Sequence, residues 1–212
     1  MLVRRRSGLG RKQPVAAALF PSVAHCGKLT VMRYLLALLL CSTLAYADEL
    51  TGKVINVADG DTLTILTDDK RQHRVRIAGI DAPEKAQPFG NRSRQNLHAM
   101  AHSQDARADC PKTDRYGRKV CKVWVQPSDC PACGLTLDVG YAQISAGLAW
   151  WYRAYAKEQS AEDRGRYESE ENDSRLRKRG LWVDDGLVPP WIYVPPGTLI
   201  EKAFKLVCAQ KR

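Results

Sequence analysis

Apolar and polar residues alternate from about residue 50 onward and predict a β-rich start to the folded part of the chain. Three strands are predicted at residues 54–58, 62–66 and 73–80, with short turns between them. The first turn contains Asp59-Gly60, and an Asp-Gly pair between two alternating runs favours a hairpin. Because each connection is only a few residues long, the three strands are predicted to pair antiparallel.

The second half of the chain mixes strands with helices. A helix is predicted at residues 91–102, followed by strands at 105–110 and 119–125. Asp138 suits the N-cap of a second helix over residues 139–146.

A third helix is predicted from residue 160 or 161 to Arg179. Its acidic residues come early and its basic residues late, and Gly180 follows, an order that complements the helix dipole. Five strands and three helices in one domain predict the α+β class, with a small closed barrel and attached helices.

The net charge is +10, from 33 basic and 23 acidic residues, which first suggests a phosphate-rich partner. Seven of the basic residues and none of the acidic ones fall in residues 1–47, so residues 48–212 carry 26 basic and 23 acidic residues. The bulk charge of the remaining chain therefore gives little support for nucleic acid as a partner.

Residues 32–47 have the pattern of a secretory signal peptide. Met32-Arg33 precedes an apolar run over residues 34–44, and Ala45-Tyr46-Ala47 has the small residues of a cleavage site. The apolar run is shorter than the about 20 residues that span a bilayer, so no stable membrane insertion of the mature chain is expected. The sequence thus predicts an upstream segment at residues 1–31 and export to the periplasm or the medium.

Five cysteines follow the predicted signal peptide: Cys110, Cys121, Cys130, Cys133 and Cys208. An exported location favours disulfides, and the odd number leaves one thiol over. Cys130 and Cys133 form a CxxC pair that could be structural, redox-active or half of a zinc site, and a structural disulfide is favoured because no second metal-binding pair accompanies it. Cys110 and Cys121 lie on neighbouring predicted strands and are the expected partners of a second disulfide.

Acidic residues stand where predicted strands end. Asp61 lies in Asp-Gly-Asp-Thr after the first strand, and Asp81 and Glu84 lie in Asp-Ala-Pro-Glu after the third. Carboxylates at adjacent strand ends can converge on a hard cation such as Ca²⁺. Each motif alone is ordinary turn chemistry.

Two arginines accompany these carboxylates. Arg76 lies in the third predicted strand, and Arg118 ends Asp-Arg-Tyr-Gly-Arg. A guanidinium presents a planar pair of donors to phosphate oxygens, so the combination predicts phosphodiester cleavage. Strict alternation would put Arg76 and Asp81 on opposite faces, so irregular backbone is predicted at residues 78–80, where Gly79 allows a bend.

The order of these motifs, DGDT, then R-x-x-x-x-D-x-P-E, then D-x-Y-G-R, resembles the staphylococcal nuclease family over about residues 50–183. The resemblance implies an OB-type five-stranded barrel with three helices. It also implies Ca²⁺-dependent hydrolysis of DNA and RNA that leaves 3′-phosphate ends.

The resemblance further implies a role for each motif residue. Asp61 and Asp81 would be side-chain calcium ligands, and Ala82 would supply a backbone carbonyl. Glu84 would activate or orient the attacking water, and the scissile phosphate would be held by Arg76 and Arg118.

Four further residues match the nucleotide-binding positions of the family. Arg115 corresponds to a basic residue near a terminal phosphate, and Tyr116 to a tyrosine lining the nucleotide site. Tyr155 aligns with a tyrosine that packs on the base, and Tyr152 could take that place after a small shift. Aromatic stacking on bases tolerates any sequence and suits a nonspecific nuclease.

The predicted nuclease domain covers residues 48–185, and a Pro-containing extension covers residues 186–212, which the best-known member of the family lacks. A monomer is expected. Two alternatives remain open at this point: an OB-type binding module without catalysis, and a thiol-redox protein built on the CxxC pair.

Overall fold

The computed structural model describes residues 48–198. The predicted signal peptide, the upstream segment and Cys208 lie outside the described residues. The strands are β1 (Asp48–Val57), β2 (Thr62–Leu66), β3 (Gln72–Ile77), β4 (Ile80–Asp81), β5 (Asp105–Thr113), β6 (Lys119–Val125), β7 (Leu137–Asp138) and β8 (Trp150–Trp151). The helices are α1 (Gly90–Ala101), α2 (Val139–Ser145) and α3 (Ala161–Leu176), with 3₁₀ helices at Arg153–Glu158, Gly180–Val183 and Pro190–Ile192.

Five of the strands close into a barrel. They follow the order β3-β2-β1-β5-β6, and a parallel pairing of β3 with β6 joins the two edges. The other pairings are antiparallel, as predicted for the first three strands. The structure therefore confirms an α+β fold built on an OB-type barrel.

Strand β1 lies in the middle of the strand order and pairs with two neighbours. Its residues 48–53 pair with β5 and its residues 53–57 pair with β2, with a shift in register between Val54 and Asn56. Gly52 lies at the changeover, where a Cβ would come 2.3 Å from the carbonyl oxygen of Leu66. Only glycine lets the two strands approach this closely.

The three helices contribute buried side chains to the core of the barrel. Leu97 of α1, Ile144 of α2 and Tyr167 of α3 are fully or almost fully buried with the strand residues. Asp138 caps α2, as predicted, by accepting hydrogen bonds from the backbone N–H groups of Gly140 and Tyr141. Apolar contact between the helices and the barrel thus fixes where the helix side chains lie.

Helix α3 begins at Ala161, within the predicted start at residue 160 or 161, and Ser160 is its N-cap. It ends at Leu176 rather than at Arg179. The chain turns there through left-handed conformations at Lys178 (φ 50°) and Gly180 (φ 51°). The charge pattern located the end of the helix only to within a turn because the basic residues continue past it.

The backbone between Arg76 and Asp81 is irregular, as predicted. Strand β3 ends at Ile77 instead of reaching residue 80, and Gly79 adopts φ 76° in the turn that follows. Ile80 and Asp81 then pair with Trp151 and Trp150 in a separate two-stranded sheet. The change of direction brings Asp81 back toward β3.

Both expected disulfides are present. Cys110 and Cys121 join β5 to β6, and Cys130 is bonded to Cys133 within a loop. Because that bond uses both thiols of the CxxC pair, the pair offers no zinc ligands in this state. Along residues 48–198, no helix has the length and apolar character needed to cross a bilayer.

Candidate active site

The loop between β1 and β2 holds Asp61 in a buried position, with 4% of the residue exposed. Asp59 accepts a hydrogen bond from the Asp61 N–H at 3.1 Å, which closes an Asx turn. The Asp61 carbonyl accepts from the N–H of Ile77, and its carboxylate Oδ2 accepts from the N–H of Ala82 at 2.8 Å. The acidic loop is thereby tied to both β3 and the segment after β4.

Helices α1 and α2 support this loop from behind. The fully buried side chain of Gln143 donates from Nε2 to the carbonyl of Gly60 at 2.6 Å and to the carbonyl of Ser93 at 3.1 Å. Its Oε1 accepts from Asn96 at 2.7 Å. A Cβ on Gly60 would come 1.9 Å from Ser93 Oγ, so the loop packs on α1 only because residue 60 is glycine.

Arg76 joins the two aspartates that the sequence predicts as metal ligands. One guanidinium nitrogen forms an ion pair with Asp61, and the other lies 2.5 Å from Asp81 Oδ1. All three side chains are largely buried. The turn at residues 78–79 therefore places Asp61, Arg76 and Asp81 in one cluster.

The electrostatics of this cluster reflect crowded carboxylates. Burial raises the pKa of Asp81 to about 6, the charges of Asp61 and Glu84 add to the rise, and Arg76 opposes it. Burial and the neighbouring charge of Asp61 likewise raise the pKa of Asp59 to about 6. Burial alone would raise the pKa of Asp61, but the Arg76 guanidinium outweighs it and lowers that pKa below its ordinary value.

This donor set fits a hard divalent cation. The two carboxylates converge on one guanidinium, and positive charge there relieves their mutual repulsion. Within residues 48–198 no cluster of three or more His, Cys, Asp or Glu side chains is arranged to hold a metal. A cation at this point would thus need the Ala82 carbonyl and water or substrate oxygens beside Asp61 and Asp81.

Glu84 lies in the exposed loop that follows β4. Its backbone N–H donates to Oε1 of Gln87 at 2.7 Å, and Nε2 of that buried glutamine donates to the carbonyl of Val188 at 3.0 Å. In the part of the chain that the structure describes, the Glu84 carboxylate forms no ion pair or hydrogen bond. The loop is held by its backbone, and the carboxylate stays available.

Arg118 is held by its own loop between β5 and β6. Its Nε donates to Asp114 Oδ2 at 2.7 Å, and its backbone N–H donates to Asp114 Oδ1 at 2.9 Å. Burial alone would raise the pKa of Asp114, but these bonds and one from Tyr116 N–H lower it below its usual range. A persistent negative charge on Asp114 therefore aims the guanidinium.

The two predicted phosphate-binding arginines and the four predicted nucleotide-binding residues line one pocket of about 340 Å³. The predicted residues that line it are Arg76, Arg115, Tyr116, Arg118, Tyr152 and Tyr155. Its volume is in the range of pockets that hold small ligands. Asp61 and Asp81 adjoin the pocket through Arg76, so the carboxylates, the arginines and the tyrosines form one site.

The tyrosines occupy different parts of the pocket. Tyr152 and Tyr155 have ring centroids 5.3 Å apart, and Lys112 lies 4.5 Å from the centre of the Tyr155 ring. Tyr116 is 72% exposed and lies beside Arg115 and Arg118. Trp150 and Trp151 are buried, as expected for core residues rather than substrate contacts.

Comparison with known proteins places this site in a family. The model of the family described as staphylococcal nuclease homologue matches residues 74–184. The chain belongs to the staphylococcal nuclease family. The match covers Arg76, Asp81, Ala82, Glu84 and Arg118, whereas Asp61 precedes it and is brought to the site by the fold.

Individual relatives agree with this assignment. The chain is 40% identical to Protein ParB of Escherichia coli over 74% of this chain and 85% of that one. It is 36% identical to Micrococcal nuclease of Shigella flexneri over 72% and 84% of the two chains. It is 31% identical to an uncharacterized endonuclease of Escherichia coli O157:H7 over 68% and 85%. As a staphylococcal nuclease homologue the chain is a hydrolase of nucleic acids.

Two residues of this nuclease site are not apparent from its sequence motifs. Gln143 is an amide in an otherwise mostly apolar helix, which is a weak sign of a buried polar contact. Gln87 has no local signal, because its partners are the Glu84 backbone and Val188, 101 residues away. Both act on the site by fixing loops rather than by facing the pocket.

Proposed function

We propose that the chain is a Ca²⁺-dependent nuclease of DNA and RNA that uses Glu84 to activate water and Arg76 and Arg118 to stabilise the phosphate. The observation that carries the proposal is the bridge by which Arg76 joins Asp61 and Asp81 at the edge of the pocket. This arrangement gives one place where a cation and a phosphate can meet.

Asp61, Asp81 and the carbonyl of Ala82 would hold the calcium ion. When bound, a calcium ion supplies positive charge beside the phosphate oxygens and favours ionisation of a bound water. Arg76 lines the pocket as well as pairing with Asp61 and Asp81, so it would donate to a phosphate oxygen bound there. Its pKa lies above the ordinary value despite burial, so it stays charged throughout.

Glu84 would accept the proton of the attacking water. Its carboxylate is exposed and unpaired among the described residues, and the hydrogen bond from its N–H to Gln87 fixes the loop. Attack adds negative charge to the phosphate, and Arg118 is oriented by Asp114 to donate to those oxygens. The leaving oxygen would depart from the opposite side of the phosphorus.

Variants of Glu84 and Arg118 test these roles. Glu84→Gln and Arg118→Ala should each lower the rate of single-stranded DNA cleavage in Ca²⁺ by about 10²–10³-fold, since each removes a group that acts on the reacting atoms. Glu168→Gln, which changes an exposed carboxylate of α3, is the matched control and should cleave at the wild-type rate. Full activity in either site variant would contradict the assigned role.

The protein is further proposed to act outside the cytoplasm. The predicted signal peptide supports this, and the disulfides Cys110–Cys121 and Cys130–Cys133 suit an oxidising compartment. Expression of the full chain in a bacterium should give a processed product beginning at Asp48 in the periplasm or medium. An unprocessed product found only in the cytoplasm would contradict export.

A further inference from the structure

We propose that Trp191 and the segment 188–194 form a second base-binding subsite, which stacks an unpaired nucleobase of the same single strand whose phosphate lies in the pocket. The proposal rests on the proposed function in that it takes nucleic acid as the ligand. It adds a contact that the sequence motifs of the family do not include.

The segment is attached directly to the catalytic loop. Gln87 Nε2 donates to the carbonyl of Val188 at 3.0 Å, and the Tyr193 hydroxyl donates to the carbonyl of Ala86 at 3.3 Å. Both bonds reach the stretch that begins at Glu84. The segment therefore lies beside the place where the phosphate would be cleaved.

Trp191 continues a line of aromatic rings that starts in the pocket. The centroid of its ring is 5.4 Å from that of Tyr152 at an angle of 33° and 6.3 Å from that of Trp150 at 76°. Tyr152 in turn contacts Tyr155 and lines the pocket. The rings of Tyr155, Tyr152 and Trp191 thus contact one another in series, from the pocket to the segment 188–194.

The rings at the two ends of this series, Tyr155 and Trp191, are exposed to solvent. Tyr155 is 46% exposed and Trp191 is 45% exposed, whereas Trp150 beneath Trp191 is buried. Val188, Ile192 and Val194 of the same segment are also exposed. These exposed apolar side chains stand next to the pocket, and this continuity favours a base of the bound strand over an unrelated partner.

Prolines make the surface rigid before anything binds. Pro189 and Pro190 precede Trp191, and Pro190 occupies the first turn of a 3₁₀ helix whose N–H groups at Ile192 and Tyr193 donate to Pro189 and Pro190 carbonyls. A ring held in place loses little conformational entropy on binding. This supports stacking as the function of the indole.

Binding of a single-stranded oligothymidylate of about 12 nucleotides to the full-length protein, measured by fluorescence anisotropy with a chelator present, tests the subsite without cleavage. Trp191→Ala should weaken binding about tenfold, which corresponds to about 1.4 kcal/mol. Trp191→Leu should weaken it similarly, because leucine keeps apolar contact but has no π face. Trp191→Phe should retain part of the affinity.

Ile192→Ala is the matched control, because Ile192 is exposed in the same turn and offers no ring. It should change affinity less than about twofold. A thymidine mononucleotide has a single base and cannot occupy the pocket and Trp191 at once, so it should lose less affinity in Trp191→Ala than the longer strand does.

Three results would overturn the subsite: wild-type affinity in Trp191→Ala, wild-type affinity in Trp191→Leu, or equal losses for the mononucleotide and the longer strand. A faster cleavage rate in Trp191→Ala would also overturn it, because the segment would then be obstructing the pocket. A wild-type protein that binds the strand through Trp191 but does not cleave it in Ca²⁺ would contradict the proposed function and leave the subsite standing.

Discussion

Asp61 is the residue on which the contacts of the site converge. Its backbone and side chain are tied to Asp59, Ile77 and Ala82, and its charge is balanced by Arg76. Steric contacts as well as charge therefore restrict which residues can surround Asp61. Gly60, one position earlier, shows this most directly.

Gly60→Ala should destabilise the protein by roughly 1–3 kcal/mol and lower the rate of nucleic-acid cleavage. The added Cβ would meet Ser93 Oγ and Ala82 Cβ at 1.9 and 2.7 Å, which forces the loop of Asp61 to move. Chemical unfolding and cleavage kinetics measure the two effects.

Gly165→Ala provides the control for that substitution. Gly165 lies in α3, and a Cβ there meets nothing within 4 Å. This variant should be more stable than the wild type by about 0.4–1 kcal/mol and should keep its activity. Equal stability in the two alanine variants would contradict the packing of the loop against α1.

Gln87→Leu tests whether the loop of Glu84 is positioned by a buried amide. The variant leaves the N–H of Glu84 and the carbonyl of Val188 without their partner, at a cost of about 1–3 kcal/mol in unfolding free energy. The cleavage rate at saturating substrate should fall more than the Michaelis constant changes, because Glu84 acts in the chemical step. Wild-type rates in Gln87→Leu would show that the loop needs no such support.

At the scale of secondary structure, most of the elements follow from local pattern. β2 and the start and length of α1 come from alternation and helical periodicity, and Asp138 and Ser160 mark helix starts because they can cap. The parallel pairing of β3 with β6 could not be predicted in the same way, because it joins strands that are distant in the chain.

For the candidate site too, local sequence predicts some features and not others. The motifs predict Asp61, Asp81, Glu84 and the two arginines, since charged residues at strand ends stand out in a sequence. They do not predict that Arg76 bridges both aspartates, since that depends on the turn at residues 78–79. Gln87, Gln143 and Trp191 could not be found by local pattern, because their roles are defined by partners distant in the chain.

Helix α2 carries a buried polar residue whose removal should disturb the site from a distance. Gln143→Leu leaves the carbonyl of Gly60 and the amide of Asn96 unsatisfied, which should cost about 1–3 kcal/mol and reduce cleavage. Gln95→Leu on the exposed side of α1 should change stability by less than about 0.5 kcal/mol. If both variants behave alike, the contact of Gln143 with the acidic loop is unimportant.

The packing of α3 on α2 should give stability a specific dependence on alkaline pH. Burial, the charge of Asp138 and the hydrogen bond from Tyr167 to that residue raise the pKa of Tyr167 well above its ordinary value, and Asp163 adds to the rise while Arg166 opposes it. A group whose pKa is higher in the folded than in the unfolded protein stabilises the folded state fully at pH values below the unfolded pKa. That stability is lost as pH rises above about 10.

Tyr167→Phe isolates this effect. Below pH 9 the variant should be less stable than the wild type by about 1–3 kcal/mol, since Asp138 loses a buried partner. Above pH 10 the difference in unfolding free energy should shrink. Tyr167 ionises in the unfolded wild type but resists ionisation in the folded one, so the wild type loses stability there and the variant does not. Urea unfolding at a series of pH values gives the comparison, and a constant difference would contradict it.

At the scale of the whole molecule, a bound cation should stabilise the fold. Asp61 and Asp81 are the proposed calcium ligands, and a ligand that binds only the folded state adds about 2.7 kcal/mol at a concentration of 100 times Kd. Ca²⁺ should therefore raise Tm of the wild type. It should have little effect on Asp81→Asn, while the exposed control Asp185→Asn should respond like the wild type.

The disulfides and the closed barrel give the molecule a scaffold in which charged residues from separate loops stay together. The fold brings Asp61 and Asp81 together on Arg76, which lines the same pocket as Arg118 and the tyrosines. The central claim is that this assembly hydrolyses phosphodiesters with calcium bound to the two aspartates.

Cleavage of single-stranded DNA and of RNA by the purified protein, with Ca²⁺ or with a chelator, tests that claim most directly. We expect release of shorter fragments from both substrates in Ca²⁺, arrest of cleavage by the chelator, and recovery when Ca²⁺ is added back. Cleavage that continues at the same rate in the chelator, or its absence at every Ca²⁺ concentration in a folded protein, would contradict it.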